Sequence, residues 1–230
     1  DKVVVRWTDK GNTADTGEER FDVLLAATVR RPNLDTIGVE NTSLILDERG
    51  APRHDHMSMR ADTAGDGLSS IFVTGDAAIE LPLLHEAADE GRIAGENAAR
   101  YPEVYRRARR TGLGVVFSDP QIAIAGRGQG DLTKAGIDFA YGEVSFEDQG
   151  RARVIGKDKG LLRVYAERET GILLGAEMIG PAAEHIGHLL AWTIESRLTV
   201  IETLQRPFYH PVLEEGLRTA LRNLAAELEF

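Results

Sequence analysis

Ile71-Phe72-Val73-Thr74-Gly75-Asp76, followed by Leu83-Leu84-His85 and Glu90-Gly91, is the stretch on which the fold turns. The three apolar residues read as a short buried strand. It runs straight into Gly75-Asp76. A Gly there lets backbone approach a ligand closely, and the following carboxylate is placed to accept hydrogen bonds from sugar or polyol hydroxyls. Leu83 to Arg100 then reads as a helix, with Leu84, Ala87, Ala88, Gly91, Ala94 and Ala98 recurring at three- and four-residue spacing. That stripe is unusually small. Two readings explain it: tight packing of the helix on a sheet, or a flat cofactor near the helix start. A helix N-terminus, with exposed N–H groups and a positive dipole end, suits an anionic group or an electron-rich ring.

Upstream, Lys2 to Thr8 reads as a Val-rich strand, Lys10 to Glu19 as a polar turn and Phe21 to Ala27 as a buried strand. Arg30-Arg31-Pro32-Asn33 breaks it. Thr42 to Leu46 suggests another short strand, and residues 51–70 read as loop. Downstream, the Arg-rich stretch from Tyr101 to Gly112 is the expected domain boundary, and Arg106, Arg107, Arg109 and Arg110 read as a solvated helix end.

From Gly114 the pattern changes. Gly114 to Phe117, Ile122 to Ala125, Phe139 to Phe146, Gly160 to Ala166 and Ile172 to Ile179 are expected to form an antiparallel sheet. Glu167-Arg168-Glu169-Thr170-Gly171 is a hairpin loop in this reading. A short helix is expected over Leu132 to Gly136, and longer ones over Ala183 to Arg197 and Pro211 to Glu229. The last places Leu213, Leu217, Leu221, Leu224 and Leu228 on one face, too short a run for a coiled coil. That face is expected to serve helix–core or helix–subunit packing.

Composition narrows the function. The 230 residues are 42% hydrophobic, enough for a sizeable core, and no apolar run approaches the length of a membrane span. Asp1-Lys2-Val3-Val4-Val5 looks like a strand entered midway rather than a signal segment. A net charge of −10 counts against nucleic acid as a partner. The chain has no cysteine, so it holds no disulfide, thiolate metal site or thiol catalyst of its own. A cytoplasmic location is expected, with no membrane partner.

His210-Pro211 with Glu215 is the sharpest local signal. Pro211 suits a first helical turn, and Glu214 and Glu215 suit its positive end. One reading is an ordinary Pro-started helix with an acidic first turn. The other is a general acid/base, His210, oriented by a carboxylate one turn on. His54-Asp55-His56 reads as a solvated turn, and His185 and His188 as a helix flank; no metal site is expected.

Taken together these segments resemble the pyridine nucleotide-disulfide oxidoreductases, and within them the dihydrolipoamide dehydrogenases most. Ile71 to Asp76, Leu84-His85 and Glu90-Gly91 look like the family's late FAD-binding stretch. Ala27-Thr28-Val29-Arg30-Arg31-Pro32-Asn33 is similar to its Ala-Thr-Gly-Arg-x-Pro-Asn run, with Val29 in place of Gly. Phe117-Ser118-Asp119-Pro120-Gln121-Ile122-Ala123 resembles the opening of its dimerisation domain, with Gln121 where Glu is usual. The resemblance covers nearly the whole chain but only the back half of the family's length. It implies an α/β remainder of the NAD- and FAD-binding domains over residues 1–112, and an α+β interface domain with an antiparallel sheet over 113–230. It implies His210 and Glu215 as the catalytic pair, Gly75 and Asp76 at the ribityl chain, and the Leu84 and His85 backbone at the flavin ring. The cofactors implied are FAD and NAD(H), the substrate a dithiol or disulfide, and the assembly a homodimer. A glutathione reductase or soluble transhydrogenase is the alternative parent. The redox cysteines and the Gly-x-Gly-x-x-Gly loops are missing from this chain, so a non-catalytic assembly module, binding FAD weakly or not at all, is the alternative for the chain by itself.

Overall fold

The structure is a computed structural model. It describes residues 2–9, 11, 15–27, 32–65, 69–78 and 81–229. The Thr28-Val29-Arg30-Arg31 core of the stretch beginning at Ala27 lies outside the described residues.

The chain opens with a hairpin. Strand β1 (Val3–Thr8) pairs antiparallel with β2 (Thr16–Phe21), in a register that sets Val3 opposite Phe21. The expected strand from Phe21 to Ala27 is therefore corrected: Phe21 ends a strand, and 23–27 is not one. Its Val23, Leu24 and Leu25 are exposed. An apolar run becomes a buried strand only beside neighbours, and among the described residues none pairs with it. Residues 44–73 are linked by isolated bridges, Leu44 to Thr63, Leu46 to Pro52, His54 to Ala61 and Arg60 to Phe72. Val73 N–H donates to Met59 O at 2.9 Å, which delivers the chain to a single 3-10 turn, Gly75–Ala77.

Helix α1 (Leu84–Arg100) follows where expected, but it buries a different face. Leu84 is 89% exposed, and Ala88, Gly91 and Ala98 are exposed too. The buried side carries Glu86, Asp89, Glu90, Ile93, Ala94 and Asn97. The reason is the arginine stretch, which is not a solvated helix end but an extended strap along α1. Arg109 reaches Glu86, Asp89 and Glu90; Arg107 pairs with Glu96, and Arg106 with Asp55. Asn97 fixes the strap by accepting from Tyr105 N–H and donating to Tyr105 O, both at 2.9 Å. Carboxylates enter an interior only when paired, and the strap supplies the pairs.

From Leu113 the chain builds a five-stranded antiparallel sheet. Strands β3 (Leu113–Val116), β4 (Gln121–Gly126), β5 (Phe139–Ser145), β6 (Leu161–Glu167) and β7 (Leu173–Gly180) lie in the order β3-β4-β7-β6-β5. Each matches an expected strand to within two residues at either end. Two-residue alternation explains the face: Leu162 and Val164 of β6 are buried while Arg163 points away. Short helices α2 (Gln129–Lys134) and α3 (Gly150–Val154) connect the strands. Helix α4 (Ala183–Glu195) covers β3, β4 and β7 with Ile186, Leu190 and Ala191.

A capping box at Thr199 and Glu202 starts the short helix α5 (Val200–Leu204). Helix α6 (Glu215–Glu227) covers β5 and β6 with Leu217, Leu221 and Leu224. The leucine face thus belongs to this domain's own core. A Cβ at Gly142 would overlap Ala220 O and Leu224 N, so a glycine in β5 lets α6 sit this close. Among the described residues no helix is long and apolar enough to cross a membrane.

Candidate functional site

His210 and Glu215 are brought together. Helix α6 begins at Glu215, not at Pro211, so His210 to Leu213 form an irregular approach to it. Glu215 is the first helical residue and turns back over that approach. His210 Nδ1 lies 2.7 Å from its Oε1, and Val212 N–H donates to its Oε2 at 3.2 Å. Glu214, the neighbouring acid, makes no side-chain cap. The bond from His210 holds the Glu215 carboxyl below its ordinary range; partial desolvation opposes this, and the Val212 N–H assists. An ionised Glu215 places the imidazole proton on Nδ1, leaving Nε2 as the free acceptor. The His210 side chain is 80% exposed. The pair is an imidazole of fixed tautomer turned toward solvent, an arrangement able to accept and return a proton.

Gly75, Asp76, Leu84 and His85 form a second constellation. Gly75 has φ +65 and starts the 3-10 turn that carries the exposed Asp76. A Cβ there would stand 3.4 Å from Ala87 Cβ, so the turn lies against the first turns of α1. Gly75 N–H donates to Glu90 Oε2 at 2.6 Å. Leu84 and His85 open α1 in the exposed state, and its N-cap residue, Leu83, makes no side-chain cap. They line a cleft of about 800 Å³ whose other wall is Phe117, His188 and Trp192. His210 and Glu215 are not among its lining residues. The two constellations are separate surfaces of this chain.

These residues fit part of a flavin site. An uncapped helix start beside a glycine-led turn with an outward carboxylate offers N–H groups to a ring and an acceptor to hydroxyls. The sequence has no Gly-x-Gly-x-x-Gly run of the kind that cradles a pyrophosphate. Among the described residues no group of three or more His, Asp or Glu is placed to hold a metal. Asp55 of the His54-Asp55-His56 turn accepts from Ser58 Oγ and from both Nε and Nη2 of Arg106. Sequence reasoning placed Glu90 in the flavin-binding stretch and Arg109 in a solvated helix end, and missed that the two pair. The signal was present: acids at 86, 89 and 90 share one helix face, and an arginine run follows the helix.

Comparison with known proteins gives consistent matches. The family described as pyridine nucleotide-disulphide oxidoreductase, dimerisation domain, matches residues 113–221. A dihydrolipoyl dehydrogenase of Haloferax volcanii is 31% identical over 217 residues, which are 94% of this chain and 44% of that protein. One from Thermus scotoductus is 32% identical over 203 residues, 88% of this chain and 42% of that protein. The chain thus spans somewhat under half the length of these relatives. Among solved structures, LpdA from Mycobacterium tuberculosis superposes with a TM-score of 0.72 at 25% identity, covering 95% of this chain and 45% of that one. The flavoprotein disulfide reductase RclA of Escherichia coli, as a Cu(II) complex of a C43S mutant, shares the fold with a TM-score of 0.70 at 22% identity, covering 91% of this chain and 45% of that one. With the sheet, the helices and these matches in agreement, residues 113–221 are a dimerisation domain of the pyridine nucleotide-disulphide oxidoreductase type.

Proposed function

We propose that this chain is the C-terminal portion of an FAD-dependent, NAD(H)-linked disulfide oxidoreductase of the dihydrolipoamide dehydrogenase type. In this reading residues 1–112 are the end of the NAD-binding domain and the returning part of the FAD-binding domain, and residues 113–230 pair with a second copy. The observation that carries it is the 2.7 Å contact between His210 Nδ1 and Glu215 Oε1, with the imidazole turned to solvent. A base with its tautomer fixed serves proton transfer. With no cysteine in the chain, the thiols it serves lie outside these 230 residues. His210 Nε2 takes the proton of a substrate or enzyme thiol across the subunit boundary and returns it in the reverse direction. Glu215 holds the ring and stabilises the imidazolium.

Asp76 would hold the ribityl hydroxyls and the Leu84 and His85 N–H groups the ring edge. When bound, the flavin supplies the electron relay between dithiol and nicotinamide. The test is an assay of the full-length protein for NAD⁺-dependent dihydrolipoamide oxidation beside glutathione disulfide reduction. Activity with neither, in a flavin-loaded sample, would overturn the reading.

A second reading applies to the chain by itself: a dimerisation module without catalysis. It is favoured by the missing thiols and glycine-rich loops. A colourless purified chain that self-associates fits it, and a yellow one with stoichiometric flavin does not.

A further inference from the structure

Beneath the Gly75–Ala77 turn lies a buried charge cluster that the proposed chemistry does not use. Glu90, with a side chain 2% exposed, divides its carboxylate between two partners. Oε2 accepts from Gly75 N–H at 2.6 Å, and Oε1 accepts from Arg109 Nη1 at 3.1 Å. Arg109 Nη2 donates to Glu86 Oε2 at 2.7 Å, and its Nε stands 3.5 Å from Asp89 Oδ2. Asp89 also takes Arg92 and Arg110, each at 3.3 Å. Three carboxylates on one helix face repel one another and are costly to desolvate. Well-packed apolar residues commonly serve such a site at equal or better stability. Apolar residues could not meet the Gly75 N–H, which opens the turn at φ +65 and aims Asp76.

We propose that Glu90, held by Arg109, is a positioning residue that sets the Gly75–Asp76 turn for its flavin ligand. The proposal rests on the flavin reading given above. Glu90 touches no ligand; it fixes the amide that starts the turn. Arg109 fixes Glu90 from the strap. Two residues on, Thr111 N–H donates to Glu195 Oε2 of α4 at 2.6 Å. The turn is thereby referenced to the dimerisation domain through a short charged chain.

The test uses the full-length flavoprotein and titrates its apoprotein with FAD, reading the dissociation constant, the visible circular dichroism of the bound flavin and the apoprotein melting temperature. Asp76→Ala tests the flavin reading. Glu90→Gln keeps the size and removes the charge. Glu90→Asp keeps the charge for Arg109 but is one methylene too short for Gly75. Loss of one charge-assisted hydrogen bond predicts flavin binding weakened about tenfold in both Glu90 variants, with an altered flavin signal. The apoproteins are expected to melt within a few degrees of the unmutated one. If Asp76→Ala weakens binding while both Glu90 variants bind within about twofold of normal, the positioning role is overturned and the flavin reading stands. If Glu90→Asp is fully rescued, the cluster serves charge balance alone and the proposal fails. If Asp76→Ala binds normally, both readings fall. Should the Glu90 variants not fold, Arg109→Lys decides. A single ammonium cannot serve Glu86 and Glu90 as a guanidinium fork does. It is expected to weaken FAD binding several-fold, and unchanged binding overturns the proposal.

Discussion

Glu215 holds His210 from the first residue of α6, Oε1 to Nδ1, and no other part of the approach to that helix orients the ring. The imidazole is set by a helix start that its own domain core anchors through Leu217 and Leu221.

Turnover tests that relationship directly. In the full-length enzyme, His210→Ala is expected to lower the steady-state rate by about a hundredfold or more, the usual contribution of a positioned acid/base. Glu215→Gln is expected to fall less far, because an amide still accepts from Nδ1 but no longer favours the imidazolium. Rates within about twofold of the unmutated enzyme would remove His210 from the mechanism.

Titration supplies a check that needs only this chain. The Glu215 carboxyl is held below its ordinary value, first by the His210 hydrogen bond. Its contribution to stability is complete above the unfolded value and is lost as the pH falls through the depressed folded value. Carboxyl carbon shifts in NMR should place its midpoint below that of a free glutamate. In His210→Ala the midpoint should move upward. A midpoint unchanged by that substitution would mean the pair is not formed in solution.

Flavin titration of the 230-residue chain should show weak binding or none. Asp76 and the start of α1 present only the hydroxyl and ring-edge contacts, and the phosphate cradle is missing. Stoichiometric quenching of flavin fluorescence at low micromolar concentration would contradict this.

Self-association separates the core from the interface. Light scattering is expected to give twice the 25.1 kDa chain mass at about 100 micromolar, where weak specific interfaces begin to fill. Leu217 is 3% exposed and packs in the core, so it is no interface probe. Leu217→Ala should cost about 2–5 kcal/mol of stability as a core truncation, read by denaturant unfolding. A monomer at that concentration would show that the interface needs more than these residues.

Gly142→Ala should lower the melting temperature, although alanine is otherwise the better residue in a strand. The added methyl would meet the backbone of α6, and overpacking of this kind costs about 1–3 kcal/mol. Unchanged thermal unfolding would mean that α6 can move away freely.

What the sequence made legible follows from what each element needs. Strands β3 to β7 were readable because each carries its own alternation, and their partners lie within the same hundred residues. His210 and Glu215 were readable because they are five residues apart and meet across a local turn. The burial of α1 was not. Its inward face is acidic, and that face becomes an interior through partners distant in sequence, such as Arg109, 19 residues beyond Glu90. The small-residue periodicity of α1 is only partly an inward face: Ala94 is buried, while Ala88, Gly91 and Ala98 are exposed. The start of α6 was misplaced because Pro211 fits a first turn by local rules, while the His210 contact requires an irregular approach. Short α3 and α5 are not legible in the sequence, because five residues carry too little periodicity.

The exposed run at 23–27 is expected to set how this polypeptide behaves at high concentration. Val23-Leu24-Leu25 leaves the hairpin with Leu25 85% exposed, and no charge lies between Asp22 and the end of the described run at Ala27. Such a segment is a template for intermolecular strand pairing. Concentrated stocks should thicken and precipitate through it, while a version beginning near residue 113 stays clear. A lysine at position 24 would be the simplest cure.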